Sequence, residues 1–240
     1  MPFLILSDIH GNREALEAVL ADADGRYDRA VCLGDLVGYG ADPNFAVDWA
    51  REHAAAVIRG NHDKVAVGLE PLYSYRPAAR AAAEWCRNAL RPENLEYLER
   101  LPRGPLPYEG FDMVHGSPVD EDEYLMSIHD VGAISHEIDT WLSFMGHTHV
   151  QGGFLAARAA VVEIDPRVTL ELDEKYRYLV NPGSVGQPRD HDPRAAYAIY
   201  HPKKRFIEFR RAEYDVTAAA EKILAAGLPS ALAARLFNGV

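Results

Sequence analysis

The 240-residue chain carries 25 Lys and Arg against 36 Asp and Glu, a formal net charge of −11 that disfavours an extended nucleic-acid surface or an anionic-membrane surface. With 48% hydrophobic and 25% charged residues it has the composition of an ordinary globular protein, long enough to bury a full core as one domain over 1–240, with two small domains as the alternative. Only two cysteines occur, Cys32 and Cys86, which argues against a disulfide framework; with no leader-like start and no run near about 18 apolar residues, a cytoplasmic protein without a membrane span is expected.

In chain order, Phe3–Leu6 is too short for a helix and reads as a buried strand that breaks into Ser7-Asp8-Ile9-His10-Gly11-Asn12. Asn12 caps a helix with apolar residues at Ala15, Leu16, Val19 and Leu20. A strand over Ala30–Leu33 exits into Gly34-Asp35, and Asp42-Pro43 opens a helix through about His53. Ala54–Ile58 is a third strand, ending in Arg59-Gly60-Asn61-His62-Asp63. Gly34 and Gly60 stand where backbone passes close to a ligand or a neighbouring segment.

From about 64 to 103 the pattern is helical, with helices near Pro77–Leu90 and Pro92–Leu101 joined to the preceding strand by an aromatic link over Glu70–Arg76. The segment is expected to overhang the site as a lid, with Tyr73, Tyr75 or Arg76 reaching substrate; the plainer reading of the link is a loop packed on the core. Strands follow at Phe111–Val114, before His115, and at Trp141–Met145, before Gly146-His147-Thr148-His149, with a helix near His129–Ile138 between them. The remaining strands, at Phe154–Ala156, Ala160–Ile164, Val168–Leu172, Tyr178–Val180, Ala195–Tyr200 and Phe206–Phe209, suggest a second sheet. Helices over Asp215–Gly227 and Ser230–Leu236 close the chain.

Five apolar runs thus end in metal-binding side chains: Asp8 with His10, Asp35, Asn61, His115, and His147 with His149. Half of the ten histidines crowd into these exits, counting His62. Oxygen donors mixed with imidazoles, and no thiolates, suit manganese, iron, zinc or similar ions rather than a structural zinc site. The set is too large for one ion of ordinary geometry. It suits two ions about 3.5–4 Å apart sharing a carboxylate, the arrangement for in-line displacement at phosphorus.

The motifs SDIHGN, LGDLVG, RGNHD, VHGS and MGHTH, in that order, resemble the calcineurin-like metallophosphoesterase superfamily from about Phe3 to Val150. Asn181–Asp190, NPGSVGQPRD, is similar to the small prokaryotic phosphodiesterase branch that includes the YfcE-like proteins. The resemblance implies an α/β fold, a four-layer α/β/β/α sandwich of two mixed sheets flanked by helices. It implies two divalent ions, manganese before iron, zinc, nickel or magnesium. Asp8, His10 and His149 would bind one ion, Asn61, His115 and His147 the other, and Asp35 both. His62 would donate to the phosphate and protonate the leaving oxygen after attack by a hydroxide held between the ions.

The expected function is therefore a metal-dependent phosphoric ester hydrolase, a phosphodiesterase acting on a small or nucleotide-like phosphodiester. A phosphomonoesterase needs the same centre and stays open; a non-catalytic scaffold, like the retromer subunit of this fold, is the further alternative. Asp63 is expected to orient backbone or His62, and the Asn181-Pro182-Gly183-Ser184 turn to form the floor of the site. One departure stands out. The arginine that follows the second aspartate in the protein phosphatases and symmetrical tetraphosphatases is Tyr39 here, and a tyrosine cannot form the same fork. Arg189 either supplies the missing cation or pairs with Asp190 or Asp192, so Tyr39, Tyr73 and Arg189 are the candidate substrate contacts.

Overall fold

The computed structural model describes residues 1–157 and 160–240. Its first sheet is built on β1 (Phe3–Leu6), β2 (Arg29–Cys32) and β3 (Ala54–Val57), three parallel neighbours. β1 is buried on both faces, which is why it reads as an unbroken apolar run. Phe3 and Ile5 pack toward the second sheet, with Phe111, Leu142 and Phe144. Leu4 and Leu6 face the helices α1 (Arg13–Asp22) and α2 (Pro43–His53), against Leu16, Val19 and Val47. Each such fully buried side chain contributes about 1.5–3 kcal/mol.

The second sheet comprises β4 (Leu106–Tyr108), β5 (Phe111–Met113), β6 (Leu142–Phe144), β7 (Gly152–Ala157), β8 (Ala160–Glu163) and β10 (Arg177–Asn181), in the order β4-β5-β6-β10-β7-β8. The first sheet is completed by β9 (Leu170–Glu171), β11 (Ala195–His201) and β12 (Phe206–Ala212), in the order β3-β2-β1-β11-β12-β9. Both are mixed, and helices lie outside them, giving the four-layer α/β/β/α sandwich.

The later strands do not form a second sheet by themselves, as the sequence had suggested. β11 is buried on both faces from Ala195 to Tyr200 and pairs antiparallel with β1, so the C-terminal strands are divided between the sheets. β4 escapes the sequence pattern because Pro107 interrupts it, which only an edge strand tolerates.

Three helices follow β3: α3 (Asn61–Val67), α4 (Pro77–Ala89) and α5 (Pro92–Glu99). α3 begins earlier than expected, at Asn61, because the Asp63 carboxylate in its first turn accepts the Gly60 N–H at 3.0 Å. α6 (Ile128–Ile134) covers the second sheet, while α7 (Val216–Ala225) and α8 (Ser230–Asn238) pack beside α4. No helix among the described residues is long and apolar enough to cross a membrane.

Candidate active site

The exits of β1, β2, β3, β5 and β6 meet at one end of the sandwich, and backbone bonds lash them together. Asp8 N–H donates to Gly34 O at 3.0 Å, His10 N–H to Asp35 O at 2.9 Å, and Gly146 N–H to His115 O at 2.8 Å. Five of the polar residues there adopt left-handed backbone: Asp8, His10, Asp35, His147 and His149, with φ between 50° and 66°. Such conformations cost on the order of 1–3 kcal/mol each in residues with a side chain, and they persist where surrounding structure imposes them. Here they turn the side chains toward a common centre.

Two glycines make that convergence fit. A Cβ on Gly60 would lie 2.1 Å from Asp35 Oδ1, and one on Gly38 would lie 2.6 Å from His10 Nδ1 and 2.9 Å from His62 Nδ1. Any side chain at either position would displace a group of the site.

The imidazoles are oriented by carbonyls. His10 Nδ1 donates to Val37 O (2.9 Å), His115 Nδ1 to Leu33 O (2.8 Å) and His149 Nδ1 to Gln187 O (2.5 Å), so in the neutral rings each Nε2 is a bare lone pair. His147 is turned the other way, its Nε2 donating to Asp122 O at 3.1 Å and leaving Nδ1 for the site. The His10 and His149 Nε2 atoms are only 3.1 Å apart, and His149 Nε2 is 3.2 Å from Asp8 Oδ1, which is buried and, among the described residues, has no hydrogen-bond partner. Facing lone pairs beside an unpartnered carboxylate oxygen fit a cation.

The carboxylates divide their oxygens. Asp8 Oδ2 accepts the His147 N–H at 3.1 Å. Asp35 Oδ1 accepts the His62 N–H at 2.8 Å, which leaves Oδ2 between two groups of donors, 3.6 Å from His10 Nε2 and 3.4 Å from His115 Nε2. His115 Nε2 is in turn 3.2 Å from Asn61 Oδ1. Asp8, His10, Asp35 and His149 thus form one cluster able to hold a metal ion, and Asp35, His115 and His147 a second, with Asn61 beside it.

Electrostatics follow from this packing. Burial alone would raise the Asp35 carboxyl, but His115 and His62 outweigh it and hold the group well below its ordinary range. Burial likewise disfavours a charged His115, yet the Asp35 carboxylate raises it to about 10. Burial drives His147 down to about 3 and His62 to about 4, so both are neutral at pH 7. Without a metal, a His115 proton supplies positive charge that the two aspartates need.

His62, 4% exposed, stands at the edge of the clusters. Its Nε2 is 2.9 Å from the Tyr39 hydroxyl, which accepts from Arg189 Nη2 at 3.2 Å. Arg189 makes no ion pair with its neighbours, because Asp190 is taken by Arg211 and Asp192 by Arg194. Asp63 binds backbone: it accepts the Asp35 N–H at 2.8 Å and the Val37 N–H at 3.3 Å. The Asn181–Ser184 turn lies beneath, Asn181 Nδ2 donating to Gly146 O and Ser184 Oγ to Asp8 O.

A cavity of about 630 Å³ opens from Asn61, His62 and His147 and is walled by Tyr39, Tyr75, Tyr124, Arg76, Arg189 and residues of α8. Tyr73 is a correction: it is 80% exposed and does not line this cavity, whereas Tyr75 does and bonds Asn61 O at 2.9 Å. Of the segment from 64 to 103, only the link and the start of α4 reach the cavity, while α5 packs Leu98 into the core. Sequence reading missed Tyr124, whose ring lies 3.7 Å from that of His147, and the α8 wall of Ala231, Leu232 and Arg235. A closing helix over Ser230–Leu236 was expected, but nothing local indicated where it docks.

A calcineurin-like phosphoesterase superfamily domain matches residues 1–205. An uncharacterized protein of Methanocaldococcus jannaschii is 37% identical over 247 residues, covering 98% of this chain and 97% of that protein. The crystal structure of a metallophosphoesterase from Sphaerobacter thermophilus matches at 39% identity and TM-score 0.88, covering 100% of this chain and 99% of the other. A hypothetical protein from Pyrococcus horikoshii OT3 shares the fold at 20% identity and TM-score 0.80, covering 100% and 98%. The chain belongs to the calcineurin-like phosphoesterase superfamily and is a metal-dependent phosphoric ester hydrolase.

Proposed function

We propose that this calcineurin-like phosphoesterase is a phosphodiesterase acting on a small or nucleotide-like phosphodiester at a centre of two divalent ions, manganese first among them. Asp35 carries the reading: its free oxygen stands between the His10 and His115 nitrogens, where one carboxylate can serve two ions. Asp8, His10 and His149 would hold one ion, and Asn61, His115 and His147 the other, with Asp35 shared. When bound, the ions would draw charge from the phosphoryl oxygens and acidify water enough to make it a nucleophile near neutral pH.

The chain's own groups supply the rest. Tyr39 and Arg189 hold the His62 ring in place. Burial and the Arg189 charge keep that ring neutral in the free site; an anionic phosphoester beside it favours the charged form, so His62 takes up a proton as substrate binds and gives it to the leaving oxygen. Arg189, bonded to Tyr39 beside His62, would neutralise a phosphoryl oxygen, supplying the cation that is missing after Asp35.

The diester assignment is supported by the likeness of Asn181–Asp190 to the YfcE-like branch and by a cavity far larger than a phosphate, with room for a second ester group. Hydrolysis of bis-p-nitrophenyl phosphate and of p-nitrophenyl phosphate, after chelation and again with manganese, tests it. Activity should vanish with chelator, return with the metal and show the higher kcat/KM on the diester. A higher value on the monoester would make the enzyme a phosphomonoesterase, and cleavage of neither would overturn the diester assignment.

A further inference from the structure

We propose that the outer wall of the active-site cavity is a second anion-binding subsite, formed by Arg76 and Arg235, and that the substrate is an organic phosphodiester bearing an additional phosphate. The proposal rests on the phosphodiesterase reading above. It starts from charge. In a chain of net charge −11, most surface arginines are claimed by carboxylates, as Arg91 is by Asp48, Arg167 by Asp165 and Arg194 by Asp192. Arg76 and Arg235 line the cavity, and among the described residues neither has a carboxylate partner.

The acids that share the cavity offset them only in part. Glu70 and Asp122 are both held by Lys64, which is only 5% exposed, at 2.8 and 2.5 Å. That one ammonium, which Glu121 shares, offsets part of their charge, and three guanidiniums, of Arg76, Arg189 and Arg235, stand against the two carboxylates in the lining. What faces the open volume is an excess of guanidinium.

The two arginines are also held on a firm base. Arg76 precedes α4 and Arg235 belongs to α8, and these helices pack through Ala79, Ala82, Leu232 and Leu236 in one apolar cluster that includes Tyr39. Arg189 bonds Tyr39 at the inner end, beside His62, and so belongs to the reacting phosphate. Tyr75 and Leu232 line the same cavity as Arg76 and Arg235 and offer apolar surface suited to the organic body that would join the two anionic groups. Guanidinium forks match phosphate oxygens bidentately, and the volume of about 630 Å³ accommodates a molecule of nucleotide size. Arg76 lies within the residues matched by the family domain, and α8, which carries Arg235, lies beyond them.

The test uses two chromogenic diesters with the same scissile bond, the p-nitrophenyl esters of thymidine 5′-phosphate with and without a phosphate on the 3′ oxygen. With manganese, the added phosphate should raise kcat/KM about tenfold or more, through KM, and the ratio should fall to near one in Arg76→Gln/Arg235→Gln. A calorimetric titration in chelator gives a readout free of turnover. Thymidine 3′,5′-bisphosphate should bind the full chain about tenfold more tightly than the 5′-monophosphate, and the double variant should lose that difference while keeping its melting temperature. Equal use and equal binding of the paired compounds by the parent, or a preference that survives in the double variant, would overturn the subsite. Cleavage of neither diester would overturn the phosphodiesterase reading instead, and the binding ratio would still decide the subsite.

Discussion

Asp35→Asn should lower metal-dependent hydrolysis by about a thousandfold or more, since the loss of one shared ligand removes several kcal/mol of charge stabilisation from both halves of the centre. The fold should survive the change. An asparagine oxygen can still accept the His62 N–H that Asp35 Oδ1 accepts at 2.8 Å, and the Asp63 carboxylate continues to bind the N–H of residue 35. Circular dichroism in chelator should therefore match the parent, with a lower melting temperature from the loss of the buried Asp35–His115 pair, while kcat/KM on bis-p-nitrophenyl phosphate collapses. Retained activity would show that Asp35 is not shared between ions.

His62→Asn should reduce kcat by about 10²- to 10⁴-fold, the usual contribution of a positioned proton donor. The substituted residue keeps the backbone N–H that Asp35 holds, so the loop should stay in place. The diagnostic feature is the leaving group. A nitrophenolate departs without help, whereas an alkoxide needs a proton, so the loss should be much larger for an alkyl phosphodiester than for bis-p-nitrophenyl phosphate. An equal loss for both would assign His62 to phosphate binding or ligand orientation rather than proton transfer.

Much of this site could be read along the chain because each ligand terminates an apolar run. Asp8, Asp35, Asn61, His115 and His147 follow strands whose ends the hydrophobic pattern marks, and parallel neighbours place such ends side by side. Their left-handed backbone was not legible, because it is imposed by bonds between distant exits, such as His10 to Asp35. The start of α3 was obscured for a related reason: three polar residues, Asn61, His62 and Asp63, look like a loop until Asp63 is seen holding Gly60 and Asp35.

The division of the C-terminal strands between two sheets was also hidden. A strand buried on both faces carries no alternation that names its partner, and β11 is such a strand. The cavity wall was the least legible part. Tyr124 and Arg235 reach it only through tertiary docking of an acidic loop and of α8, while Tyr73, next to Tyr75 but one in sequence, points to solvent.

Two ions sharing Asp35 is the centre of this account, and a calorimetric titration of the metal-free protein with manganese at pH 7 tests it most directly. His115 is held charged up to about pH 10 by Asp35 when no metal is present, although its ordinary value is near 6.5. It must lose that proton to become a ligand, so metal should displace it. The account predicts two ions bound per chain, with about one proton released as judged from buffers of different ionisation heat. A single ion per chain, or none, would contradict it.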